Sequence, residues 1–186
     1  MPQLAQHLKW TYEDFLLFPD DGKRHELIDG EHTMSPSPFT KHQRILRQLF
    51  YALERFLREH SLGEIFIAPM DVVLSDINVV EPDLLFIASE HTSIITEKHI
   101  MGVPDLVVEI ISAGSRKTDE IIKRRLYEQY GVREYWIVDP ELESVKVYRI
   151  QDTGFIRAEE LSVENGGALT TPLLPELTIL LSDIFG

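Results

Sequence analysis

The chain has 186 residues, 44% of them hydrophobic, which is enough for one well-buried core and within the usual size of a single domain. The absence of cysteine excludes disulfides, zinc ribbons and thiol catalysis, so any bound metal must be held by oxygen or imidazole. A formal charge of −13, from 31 acids against 18 bases, argues against a broad, sequence-blind grip on a polyanion; only a local basic strip or an acidic site partly neutralised by a cation is compatible with one.

Residues 1–10 carry neither a basic leader nor an apolar signal core, and no apolar run reaches 18 residues, so a cytoplasmic protein without a membrane span is expected. Thr11, followed by Glu13 and Asp14, is the predicted cap of a short helix that stops at Pro19. Alternation over 24–34 around Asp29-Gly30 predicts a β-hairpin, and Ser35-Pro36-Ser37-Pro38 a rigid loop. Ile45, Leu46, Leu49, Phe50, Leu53, Phe56 and Leu57 recur at helical spacing, which predicts one long amphipathic helix over 39–60, ended by Gly63. Arg44, Arg47, Arg55 and Arg58 share that stretch, where the simplest reading is a solvated face.

Residues 64–75 read as one or two strands broken at Pro69, and 83–88 as another. Residues 105–111 form a nearly continuous apolar run, the mark of a central strand covered on both faces. A polar loop then leads to Thr118, the predicted cap of a helix with Ile121, Ile122, Leu126 and Tyr130 inward and Gly131 as its stop. A second basic group, Arg116, Lys117, Lys123, Arg124 and Arg125, lies there. A strand over 134–138 follows, so strand, helix and strand predict a right-handed crossover between parallel neighbours. Two β segments, 145–150 and 155–161, and a terminal piece at 177–185 complete the chain. With no linker long enough to divide it, one domain over 1–186 is expected, an α/β fold with a central mixed sheet flanked by helices.

Glu109 is anomalous, because an ionised carboxylate inside the most apolar strand costs several kcal/mol without a partner. A buried arginine or lysine, a raised pKa, or a metal ion has to compensate it. Asp83 follows Pro82 at the mouth of a neighbouring apolar strand, and the two acids together offer hard oxygen ligands suited to Mg2+ or Mn2+. Lys123 and Tyr127 lie one helical turn apart, with Asp119 a turn earlier, so the lysine can stabilise charge on a phosphate or activate a water. The plainer readings are a strand-end acid for Asp83, a core ion pair for Glu109 and a surface salt bridge with Asp119 for Lys123.

The seven histidines show neither HxH nor HExxH spacing, and His42, near the start of the long helix, reads as a satisfied polar contact in preference to a cleft residue. Tyr135 and Trp136 read as core, since alternation turns at least one of them inward. Asp105 reads as exposed, and Glu81 is open between an exposed and a supporting role.

Arg24-His25-Glu26-Leu27-Ile28-Asp29-Gly30-Glu31, Glu81-Pro82-Asp83-Leu84, Pro104-Asp105-Leu106-Val107-Val108-Glu109-Ile110, Lys123 with Tyr127, and Gly131-Val132-Arg133-Glu134-Tyr135-Trp136-Ile137-Val138-Asp139-Pro140 follow one another in order. Together they resemble the successive motifs of the Uma-two family of the PD-(D/E)xK nucleases, over residues 11–183. The resemblance implies a restriction-endonuclease-like core in which Asp83 is the acid of the PD motif, Glu109 the (D/E), and Glu26 the upstream acid. The motif lysine is absent, because Ile111 stands two residues after Glu109, and the similarity implies that Lys123 replaces it from the next helix. The Lys123 and Tyr127 pair also resembles the Gln-x-x-x-Tyr element of RecB-like nucleases. The implied activity is hydrolysis of DNA phosphodiesters, with Mg2+ or Mn2+ on Asp83, Glu109 and the Ile110 carbonyl, and with a homodimer to cut both strands. The rival expectation is a non-catalytic module that has kept the nuclease fold, favoured by the net charge and the displaced lysine.

Overall fold

The computed structural model describes residues 9–19, 21–35, 38–112 and 114–186. The expected loop at Pro36 and Ser37, and residues 1–8 of the N-terminal segment, lie outside them. Thr11 caps α1 (Tyr12–Phe15) in a reciprocal box, its own N–H donating to Asp14 Oδ2 at 2.9 Å while its hydroxyl accepts from the Asp14 N–H. β1 (Arg24–Ile28) and β2 (Glu31–Ser35) form the expected hairpin, with Asp29 and Gly30 at φ 53° and 75°, the left-handed pair that a two-residue turn requires. α2 (Thr40–His60) buries Ile45, Leu46, Leu49, Leu53 and Leu57. Its stop is Ser61, in the left-handed conformation, and not the expected Gly63. Gly63 opens β3 (Gly63–Ile67) instead, where a Cβ would run into the Ile87 carbonyl oxygen.

β4 (Val72–Ser75), β5 (Asn78–Val80) and β6 (Leu84–Ala88) follow, then β7 (Ile100–Met101) and β8 (Leu106–Ile110). A π-helical turn over Thr118–Lys123 runs into α3 (Arg124–Tyr130), and Gly131 ends it at φ 77°. Thr118 does not cap this helix, because Lys117 before it is already helical. Ile121 and Ile122 also depart from expectation, being 41% and 42% exposed, while Asp119, Lys123, Leu126 and Tyr127 are buried. The surface facing the first turn is acidic rather than apolar, so the charged side chains take the inward positions. The remaining elements are β9 (Glu134–Asp139), β10 (Ser144–Gln151), β11 (Gly154–Ser162), β12 (Ala168–Thr171), β13 (Leu174–Leu180) and α4 (Leu181–Phe185).

The larger sheet has the order β11-β10-β9-β8-β6-β3 and is mixed, since β8 runs parallel to β9 and antiparallel to β6. On one face, α2, β13 and α4 pack over Phe86, Val108 and Trp136. On the other, α3 and the smaller sheet, ordered β2-β1-β5-β4-β7, cover Leu85, Val107 and Tyr135. Cover on both faces is why β8 reads as a continuous apolar run, and why Tyr135 and Trp136 are both buried. Asp105 is only 2% exposed, contrary to the expectation of an exposed acid. It accepts the Ala88 N–H at 2.8 Å and the Arg133 guanidinium at 3.2 Å, and it contacts His91 Nδ1 at 2.9 Å, so it ties β6 and β9 to the start of β8.

Candidate active site

Strand register brings the key acids together. β6 and β8 pair Leu84 with Val108, and one step further the same register sets Asp83 opposite Glu109. Glu26 comes from β1 in the smaller sheet, beside β5. The link Glu81-Pro82-Asp83 then carries the chain from β5 across to β6 in the larger sheet. Glu26 Oε1 accepts the Glu81 N–H at 2.9 Å, which fixes the Glu26 carboxylate to this crossing. Asp119 and Lys123 approach from the π-helical turn, and His42 from the first turn of α2. Glu26, Asp83, Glu109 and Lys123 all line one cavity of about 380 Å3, as does Ile110. Met34 and Phe39 line it too and remain 54% and 76% exposed.

Glu26, Asp83, Glu109 and Lys123 are all engaged by protein groups. Lys123 Nζ lies 2.7 Å from Glu26 Oε1 and 2.9 Å from Glu109 Oε1, and the Tyr127 hydroxyl donates to that same Glu109 oxygen at 2.9 Å. Lys123 is therefore no surface salt bridge, for it is 5% exposed. Asp83 takes the Arg24 guanidinium on Oδ1 at 2.7 Å, and on Oδ2 the Ile110 N–H at 2.8 Å and His42 Nε2 at 2.9 Å. His42 lines the cavity and makes a polar contact through Nε2, but it is not the fully satisfied residue expected, since its buried Nδ1 has no partner among the described residues. Arg24 and His42 carry no signal in the sequence that pairs them with Asp83. Only their spacing on a strand and a helix that converge 59 and 41 residues upstream of it makes them partners.

Four acids surround one lysine and one arginine, so the cluster has more negative than permanent positive charge. Burial, opposed by Lys123 and reinforced by Asp119, Asp83 and Glu26, pushes the Glu109 carboxyl up to about 8. Burial likewise lifts Asp119 to about 6 against the pull of Lys123. Burial works against Lys123 as well, but Glu109, Glu26 and Asp119 hold its ammonium charged well above the ordinary range. Burial alone would raise Asp83; the hydrogen bond and charge of His42, the Arg24 guanidinium and the Ile110 N–H overcome it and hold it below the usual carboxylate value. Glu81, at 8% exposure, is pushed up to about 7 by burial and by Asp71 and Glu26, and its buried Oε2 has no partner among the described residues. At neutral pH the site thus holds Asp83 ionised and retains a proton among its other acids.

These residues fit a hard divalent cation in kind. Mg2+ is held by one or two carboxylates and keeps its remaining ligands for water and phosphate, and Asp83 and Glu109 supply that number on adjacent strands. Among the described residues, however, no three histidine, aspartate or glutamate side chains converge as a ready cage. Lys123 and Arg24 do part of the neutralising that an ion would do.

Comparison with known proteins gives a consistent picture. A family model described as "Uma2: Putative restriction endonuclease" matches residues 12–182. The crystal structure of a putative nuclease belonging to DUF820 from Anabaena variabilis superposes with a TM-score of 0.78 at 22% identity, covering 94% of this chain and 97% of that one. At that identity the likeness establishes the fold. No curated protein matches significantly.

Proposed function

The chain belongs to the Uma2 family, and from that membership together with its acidic cavity we propose that it is a metal-dependent endonuclease hydrolysing phosphodiester bonds of DNA. The observation that carries the reading is the convergence of Asp83 and Glu109 across paired strands with Lys123 seated between Glu109 and Glu26. In this reading Asp83, Glu109 and the Ile110 carbonyl hold Mg2+ or Mn2+, and Lys123 is the displaced lysine of a PD-(D/E)xK site. When bound, the ion supplies Lewis-acid stabilisation of charge on the phosphate oxygens and lowers the pKa of a water ligand.

The protein's own groups divide the rest. Lys123 keeps its proton and offers it as a hydrogen-bond donor to a phosphate oxygen as negative charge grows there. Glu26 and Tyr127 are positioning residues: Glu26 steadies the ammonium, and the Tyr127 hydroxyl steadies Glu109. Arg24 and His42 keep Asp83 charged and aimed. Met34 and Phe39 present exposed apolar surface at the cavity for a sugar or base. Cutting both strands of a duplex with one site per chain calls for two copies, so we propose a homodimer. The test is nicking of supercoiled plasmid in Mg2+: Glu109→Ala abolishes it while thermal melting shows a folded protein. Full activity in that variant refutes the assignment.

One set of contacts favours a second reading, a nuclease fold retained as a binding module without catalysis. Asp83 is already engaged by Arg24, His42 and Ile110, and Lys123 bridges Glu26 and Glu109, so the three acids of the proposed site are already met by protein. Calorimetry separates the two. The enzymatic reading expects Mg2+ binding that Asp83→Asn weakens at least tenfold; binding indifferent to that substitution, or none, favours the module.

A further inference from the structure

The outer face of α2 is basic, although the protein as a whole is acidic. Five of the 18 bases and only two of the 31 acids lie on this helix. At 100° per residue, Arg44, Arg47, Tyr51, Arg55 and Arg58 fall on one stripe, opposite the buried Ile45, Leu49 and Leu53, and all five are exposed. Arg58 pairs with Glu54 at 2.7 Å, whereas Arg44, Arg47 and Arg55 have no carboxylate partner among the described residues. Arg55 lies 5.7 Å from the ring centroid of Tyr51, itself 60% exposed. Arginines three residues apart repel one another along a helix, so the stripe works against the helix that carries it. In a chain with acids to spare, neutral or acidic residues at these positions would remove that repulsion.

We propose that this stripe is the surface on which the protein grips the phosphate backbone of duplex DNA, as a docking face separate from the cavity, which the buried side of the same helix walls at His42. The occupant follows from charge and length. Arg44 to Arg58 spans about 21 Å of helix axis, about the run of six base pairs. Guanidinium groups meet phosphate oxygens in bidentate fashion, and a flat exposed tyrosine beside them suits a sugar-phosphate edge. A confined stripe also reconciles DNA binding with a net charge that argues against a general electrostatic grip. This inference rests on the nuclease reading for the identity of the polyanion, but its test does not depend on cleavage.

Fluorescence anisotropy of a labelled duplex, without divalent ions and over a range of salt, measures it. The triple variant Arg44→Gln, Arg47→Gln, Arg55→Gln is expected to lose at least tenfold in affinity at low salt. The slope of log K against log salt should flatten by about 3, close to one unit for each phosphate contact removed. Arg157→Gln, which removes an arginine on β11 outside both the stripe and the cavity, is expected to bind as the unaltered protein does, which separates the stripe from a general loss of positive charge. Binding and slope unchanged in the triple variant overturn the proposal, even if the protein cuts DNA. A duplex bound through the stripe but never cut in Mg2+ upholds this surface and sinks the nuclease reading. Absence of duplex binding by the unaltered protein, or a stripe-dependent preference for anionic vesicles over duplex, also overturns it.

Discussion

The backbone N–H of Ile110 donates to Asp83 Oδ2 at 2.8 Å, joining the last residue of one strand to the residue that precedes its antiparallel neighbour. The bond lies just past the ladder that ends at Leu84 and Val108, and it replaces the backbone pairing that the strands no longer make there. A carboxylate used in this way is fixed by the sheet itself, without dependence on a mobile loop.

Lys123 is the only ammonium within reach of both Glu26 and Glu109 among the described residues. Lys123→Met leaves two buried acids uncompensated and is expected to destabilise the fold by about 3–5 kcal/mol in urea unfolding. Adding Glu109→Gln should recover part of that loss, because one of the two carboxyls deprived of the lysine goes with it. Two losses that simply add would show that the lysine and the glutamate are not coupled.

Stability should fall as pH rises through the neutral range. The folded chain raises the Glu109 carboxyl from 4.5 to about 8, so it holds a proton that the unfolded chain has released. Its contribution is complete below about pH 4.5 and is lost progressively as pH climbs towards 8, with a slope of about 1.4 kcal/mol per pH unit inside that window. Asp119, raised to about 6, slopes the same way over a narrower range. Thermal melting against pH in chelator should therefore be flatter for Glu109→Gln than for the unaltered protein. Parallel curves would mean that Glu109 ionises freely in the fold.

The inward face of the helix after β8 can be tested without reference to function. Ile122→Glu places a charge on an exposed position and should change stability by no more than about 0.5 kcal/mol. Leu126→Ala empties a buried one and should cost about 2–4 kcal/mol. A large loss from Ile122→Glu would restore the face that hydrophobic spacing predicted.

That spacing shows where the sequence could be read and where it could not. Glu109 stands out because an acid in an apolar run violates the burial rule for its own strand, and Asp83 because a proline and an apolar strand bracket it. Lys123 and Tyr127 declare a shared face through their separation alone. Ile121 and Ile122 mislead because two periodicities overlap in this segment, Ile122 with Leu126 and Asp119 with Lys123; which one turns inward depends on the acids waiting opposite. The pairing of Arg24 and His42 with Asp83 is unreadable for a different reason, since nothing local reveals a partner that comes from a distant strand. β5 is three residues long, too short for any period, yet its position beside β1 is what delivers Glu26 to the site.

The crossing at Glu81-Pro82-Asp83 gives the molecule a mechanical property. Because Glu26 belongs to one sheet and Asp83 and Glu109 to the other, whatever occupies the cavity and touches all three acts as a rivet between the two layers. By linkage, gripping a ligand there and resisting separation of the layers draw on one free energy, so tight occupancy must stiffen the whole body.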